Sequence, residues 1–332
     1  MPLAREADLL SPLAAASAAV AEELAQAEAL LQECSAGPVP VMPRVARHLV
    51  GAGGKRLRPL LCLLAARLGG ISRELAVRVA VAGELIHTAS LLHDDVVDEA
   101  PLRRGRPSAP RIFGNSACVL MGDAMLARSI ALLADLEVHA PLAGLARCVR
   151  RMAVGELLQL TQAGRPGDTL LSYLRIIEGK TSALFAWSCT AGDLCPPPAR
   201  SPLRRFGRRF GMAFQIADDI LDYVGDPART GKAAGSDLRE GKVTLPLYFA
   251  CSLDPELRVE VEKICARPDA TKDARRVEEI VERVRSSGGV ERARGAAETM
   301  LARAHRALDE LPVSTWQQRL HDLADFVVTR SS

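Results

Sequence analysis

The chain has 332 residues, 48% of them apolar, enough to bury a large core. A net charge of +3 is close to balance, so a general nucleic-acid binder is excluded and any anion site must come from local clusters. Eight scattered cysteines form no CxxC pair, which argues against zinc. The N-terminal "MPLAREADLL" carries early acids and does not read as a secretory signal. No run of about 18 apolar residues predicts a membrane span. The expectation is a soluble, cytoplasmic protein with free thiols and no stable membrane insertion.

Helical patterning begins at "SPLAAASAAVAEELAQAEALLQEC" (11–34), with Ser before Pro in the first turn. It continues through 71–98, 118–138, 147–162, 170–192 and 203–226, then 245–252, 273–287, 289–311 and 315–330. Breakers such as "AGPVPVMP", "GAGG", "APLRRGRPSAP", "GRPGD" and "CPPPARSP" fall between these runs, and period-2 strand patterns are essentially absent. The pattern predicts one all-α domain over residues 1–332, with 1–44 as its N-terminal helical segment.

Two acidic motifs stand out. Asp94, Asp95 and Asp98 form a DDxxD in "LLHDDVVDEAPLRRGRP" (91–107), and Asp218, Asp219 and Asp222 form a second in "FQIADDILDY" (214–223). On a helix, residues i and i+4 share a face, so each motif aims two carboxylates together with the third flanking them. Such clusters repel themselves unless a cation joins them. An all-oxygen donor set selects a hard cation such as Mg²⁺, which readily bridges to phosphate. Two motifs facing each other across a bundle would hold a diphosphate through several magnesium ions.

Basic residues cluster at the chain breaks. They are Lys55, Arg56 and Arg58 in "GGKRLRP", Arg103, Arg104 and Arg106 after the first acids, and Lys232, Arg239 and Lys242 after the second. Arginine forks suit phosphate, and lysine acts as a mobile point charge. "EGKTS" (178–182) is no P-loop, since Leu174 stands where the first glycine would be needed.

Together "GGKRLRP" (53–59), the two acidic segments, "EGKTSALF" (178–185) and "GKAAGSDLREGKVTLP" (231–246) resemble the trans-isoprenyl diphosphate synthases, or polyprenyl synthetases, in that family's order. The resemblance implies an isoprenoid synthase bundle around a deep central cavity, usually a homodimer. It implies that an allylic diphosphate (dimethylallyl, geranyl, farnesyl or geranylgeranyl) binds three Mg²⁺ ions between the motifs and ionises. Isopentenyl diphosphate then attacks through its alkene, and a proton is lost to give a trans double bond. By this likeness the six aspartates are the metal set, with Asp94, Asp98, Asp218 and Asp222 foremost. Arg103, Lys180, Lys242 and Lys232 would hold the allylic diphosphate, and Gly54, Lys55, Arg56, Arg58, His87 and Arg104 the isopentenyl diphosphate site. Thr181 and Gln215 would turn oxygen dipoles to the cation, and the released diphosphate would serve as base. Glu156, Gln159, His93 and His48 keep mainly structural readings.

Ala89 and Ser90, one turn before Asp94, are both small where short-chain relatives carry a bulky aromatic floor. With one helix turn matching roughly one isoprene unit, the floor moves deeper, towards Ile86, Leu85 or Ala82. The expected product is long, about C30–C50, of the kind used for quinone side chains. Alternatives are a shorter farnesyl or geranylgeranyl product, a class I terpene cyclase, or a regulatory subunit. The second DDxxD, the "GGKRLRP" segment and few aromatics weigh against a cyclase.

Overall fold

A computed structural model of the chain describes residues 6–50, 56–103, 105–162, 170–225, 234–265 and 273–329. Among the described residues the architecture is all-helical apart from one ribbon of two-residue strands, β1 (Leu102–Arg103) and β2 (Arg106–Pro107), paired antiparallel. The chain divides into two compact units. The first comprises Met1–Val149, Leu184–Gly207 and Ala304–Phe326, and the second Arg150–Ala183, Arg208–Arg303 and Val327–Ser332.

The first unit opens with α1 (Glu6–Ala19), α2 (Ala21–Ser35), α3 (Val41–Val50) and α4 (Leu57–Leu68). The run expected over 11–34 is thus two helices that part at Val20. Helix α4 was not separated in the sequence pattern because "LRPLLCLLAARL" is apolar nearly all round and shows no stripe. It is buried along most of its length, which explains that composition. Helix α5 (Arg73–Val97) starts at the Ser72 cap, whose Oγ accepts from Leu75 N at 3.5 Å. Its core stripe runs Ala82, Leu85, Ala89, Leu92 and then Asp95. The helix ends where Asp98 N–H closes on Asp94 O at 2.8 Å and Glu99 turns left-handed at φ +47°. Next come α6 (Ala109–Phe113), α7 (Asn115–Ala134) and α8 (Ala140–Gln162).

Both α5 and α7 are long and apolar enough to cross a membrane by length and composition, which the sequence pattern had not predicted. Most of α5 is core, 72% of its apolar window being buried, whereas α7 buries 39% of its own. On α7, Val119, Leu120 and Ile130 face solvent.

The second unit is built around α9 (Leu170–Ile177), a π-helical turn (Glu178–Ser182) and α11 (Pro197–Val224), with α10 (Ala183–Cys189) between them in sequence. Helix α11 begins within the prolines expected to break the chain and carries Pro202 inside. It contributes Met212, Ala213, Ile216, Ile220 and Tyr223 to a core shared with α13 (Leu245–Leu253), α14 (Pro255–Cys265), α15 (Ala274–Ser286) and α16 (Gly289–Leu308). A short α12 (Ser236–Arg239) precedes them, and α17 (Thr315–Thr329) closes the described chain.

Candidate active site

The six motif aspartates separate by what holds them. Asp95 continues the core stripe of α5 and is 1% exposed. Its Oδ1 accepts from Arg103 Nε at 2.7 Å and pairs with the guanidinium NH2 at 2.6 Å. The hairpin after α5 thereby folds Arg103 back onto the motif, so Asp95 orients an arginine. Asp94 and Asp98 lie one turn apart at the C-terminal end of α5, half-buried. Carboxylates there face the negative end of the helix dipole, an unfavourable placement that a bound cation reverses.

In the second unit Asp219 is 3% exposed on the inner face of α11. Tyr173 donates to its Oδ2 at 2.6 Å and Gln215 Nε2 to its Oδ1 at 2.8 Å. Burial pushes its carboxyl up to about 7, against the lowering effect of those two hydrogen bonds. The same burial, with Asp219 beside it, raises the Tyr173 phenol well above its ordinary value and keeps it a donor. Asp222 accepts through Oδ1 from Ser236 N at 3.1 Å and Ser236 Oγ at 2.5 Å, and through Oδ2 from Asp237 N at 3.1 Å. It caps the loop that leads to Lys242. Asp218 is half-buried on the neighbouring face.

Lys180 and Thr181 sit in the π-helical turn, a geometry that shifts side chains off the regular helical register and recurs at functional sites. Two glycines allow it. A Cβ on Gly155 would meet Lys180 N at 2.5 Å, and one on Gly179 would meet Arg151 O at 2.8 Å. Glycine at both positions lets the α8 backbone press on the turn. Lys180 Nζ then pairs with Glu156 at 2.5 Å, and Glu178 is held by Arg151 and Arg208, each at 2.6 Å. Thr181 Oγ1 donates to Gln215 Oε1 at 2.7 Å. Lys180, Thr181, Gln215, Asp219 and Lys242 line one cavity of about 140 Å³, with Tyr173, Gln159 and Asp237 among its other walls. Lys242 Nζ also reaches Glu240 at 2.6 Å. The sequence pattern singled out neither Tyr173 nor Gly155, whose only marks are an aromatic in an apolar run and a glycine within a helix.

Other predicted residues are placed differently. Arg56 pairs with acids on α2 and α5. Its Nε and NH2 grip Glu28 at 3.1 and 3.3 Å, and its NH1 reaches Glu84 at 3.1 Å. The Arg58 guanidinium lies 4.4 Å over the Phe185 ring in a cation–π contact. His87 and Ser90 are half-buried on α5, and Ala89 is 4% exposed. Below them Ser129 Oγ donates to Ala82 O at 2.9 Å, and a Cβ on Gly83 would meet Trp187 at 3.1 Å. Helix α5 is closed at that level. His48 bonds Pro107 O at 3.0 Å, and His93 bonds Val119 O at 3.2 Å. Gly54, Lys55, Arg104 and Lys232 lie outside the described residues.

Among the described residues no three His, Cys, Asp or Glu side chains converge into a ready-made metal site. The donor set still fits magnesium, which keeps several waters and needs one or two carboxylates beside substrate phosphate.

The family model described as polyprenyl synthetase matches residues 39–284. An all-trans-nonaprenyl-diphosphate synthase (geranyl-diphosphate specific) of Rhodobacter capsulatus is 39% identical over 97% of both chains. An octaprenyl diphosphate synthase of Escherichia coli (strain K12) is 36% identical, covering 93% of this chain and 96% of that one. The crystal structure of a polyprenyl synthase from Caulobacter crescentus, complexed with calcium and isoprenyl diphosphate, superposes with a TM-score of 0.92 at 37% identity, covering 96% of this chain and 98% of the other.

Proposed function

Because the chain belongs to the polyprenyl synthetase family and is a prenyltransferase, we propose that it condenses isopentenyl diphosphate repeatedly with an allylic diphosphate to a long-chain all-trans product. The observation that carries this is the cavity where Lys180, Thr181, Gln215 and Lys242 converge from distant parts of the sequence. Lys180, Lys242 and Arg103 hold the allylic diphosphate, with Lys232 from outside the described residues. Thr181 and Gln215 present oxygens to the allylic carbon as positive charge grows. Arg58 and His87, with Lys55 and Arg104, hold isopentenyl diphosphate.

Asp94, Asp98 and Asp218 bind magnesium, while Asp95, Asp219 and Asp222 shape the surrounding structure. Three ions are expected with substrate bound. When bound, magnesium neutralises charge on the departing diphosphate. The small Ala89 and Ser90 support a long product, as do the names of the relatives. Quinone side chains are its destination and the cytoplasm its setting. The chain works as a homodimer, a reading supported by exposed apolar residues on α7 and, in the second unit, by Val154, Leu157 and Leu160 on α8.

The test is purified protein with Mg²⁺, radiolabelled isopentenyl diphosphate and each allylic primer in turn, with products sized by chromatography. Long all-trans products are expected. Products halting at farnesyl or geranylgeranyl length would overturn the long-chain reading, and hydrocarbon from geranylgeranyl diphosphate alone would make it a cyclase.

A further inference from the structure

The second acidic motif contains a hydrogen-bonded chain. Asp219 receives the Tyr173 hydroxyl on one oxygen and the Gln215 NH2 group on the other. With its NH2 end held there, the Gln215 amide must turn Oε1 the other way, where it takes the Thr181 proton. Thr181 has then used its one donor, and what it offers the cavity is lone pairs. Four residues on α9, the π-helical turn and α11 thus form one chain along the cavity wall that converges on Asp219, Thr181 donating to Gln215 and Gln215 to Asp219 from one side and Tyr173 donating from the other.

We propose that Tyr173 and Asp219 are positioning residues for the condensation: they lock the Gln215 amide so that Gln215 Oε1 and Thr181 Oγ1 present electron-rich oxygen to the developing allylic cation. Asp219 in this role is not a magnesium ligand, which separates it from Asp218 one position earlier. The inference rests on the prenyl-transfer reading above and assigns the orientation of its cation-facing oxygens. Preorganised dipoles need not reorient as charge develops, so the effect belongs to the transition state and not to substrate binding.

The experiment uses the full-length protein and three near-isosteric changes. Tyr173→Phe removes one donor. Asp219→Asn allows the amide at 219 to donate to Gln215 Oε1, which flips Gln215 and reverses its hydrogen bonds. Asp219→Asn combined with Gln215→Glu restores an acceptor-only group that again takes the Thr181 proton. The readouts are the single-turnover rate of the first condensation, KM for both substrates, thermal midpoint and the Mg²⁺ concentration giving half-maximal rate.

Tyr173→Phe is expected to slow the first condensation about 10-fold and Asp219→Asn about 100-fold. Both KM values, the thermal midpoint and the magnesium requirement should stay near wild type. The double variant should recover at least about 10-fold over Asp219→Asn. A raised magnesium requirement in Asp219→Asn would overturn the proposal in favour of metal ligation. Unchanged rates, or losses confined to KM or stability, would overturn it too. Wild-type protein that condenses no isopentenyl diphosphate would instead refute the underlying reading.

Discussion

Neighbouring aspartates in one motif do opposite jobs because consecutive helix residues point about 100° apart. On α5 that rotation turns Asp94 outward and Asp95 onto the stripe of Leu85, Ala89 and Leu92, where Arg103 meets it. On α11 it turns Asp219 inward beside Ile216, Ile220 and Tyr223. The two positions should therefore fail differently. Asp94→Ala is expected to lower kcat/KM about 10³-fold, since it removes charge stabilisation that acts in the transition state, with little change in urea unfolding. Asp95→Ala leaves the Arg103 guanidinium without its buried partner. Arg103 keeps 30% exposure, which tempers the penalty to about 1–3 kcal/mol, read from the urea midpoint, and the freed arginine should also raise KM for the allylic diphosphate. Equal catalytic losses with equal stability in the two variants would contradict the division.

Elements set what these residues can reach. Helix α5 is closed at Ala82 and Gly83 by Ser129 and Trp187, while Ala89 above them is small and buried. If Ala89 lines the growing chain as proposed, a phenyl ring there would stop it early, so Ala89→Phe should shift product chromatograms to shorter chains, with an overpacking penalty of about 1–3 kcal/mol in the melting curve. Unchanged product length would mean that Ala89 does not line the growing chain. A second element carries a pH response. His305 at the end of α16 and His321 on α17 bring Nδ1 atoms to 2.6 Å with rings parallel, so the gap can hold one proton but not two. His305 Nε2 is braced by Asp325 at 2.8 Å, while Asp309 lies 3.4 Å from His321. Burial, reinforced by His305, pulls His321 below the ordinary imidazole value, and Asp309, Asp325 and Asp322 only partly offset this. The unfolded chain therefore takes up this proton first as pH falls. Stability present above about pH 6.5 is lost as pH drops through the lower folded value, by up to about 1 kcal/mol per pH unit. Lower protection factors over 315–326 at pH 5.5 than at pH 7.5, taken relative to the intrinsic exchange rate at each pH and equalised in His321→Gln, are the expected result.

At the scale of the whole molecule, what was legible in the sequence followed the residues whose chemistry is unusual for their surroundings. Acids in apolar runs marked both motifs, and "EGKTS" marked the turn that presents Lys180 and Thr181. Residues that act through others left no such mark: Tyr173 looks like core until the π-helical turn brings Thr181 to Gln215 and Asp219. Arg56 shows the converse, since a basic motif does not reveal that Glu28 and Glu84 pair with its charge. Helix α7 poses the same question in apolar form. Leu120 is 66% exposed and Ile130 43%, on a helix apolar enough to pass for a membrane span. An apolar stripe of that kind marks an interaction surface, and a second copy of the chain would cover it through the same patch on both partners. Light scattering after size exclusion should give twice the 35.6 kDa chain mass for the wild type. Leu120→Asp puts a charge into the proposed interface, so it should yield monomer that keeps its helical circular dichroism. A monomeric wild type would overturn the dimer, and protein that floats with lipid vesicles and loses that binding in Leu120→Asp would assign the α7 face to a membrane surface in place of a partner subunit.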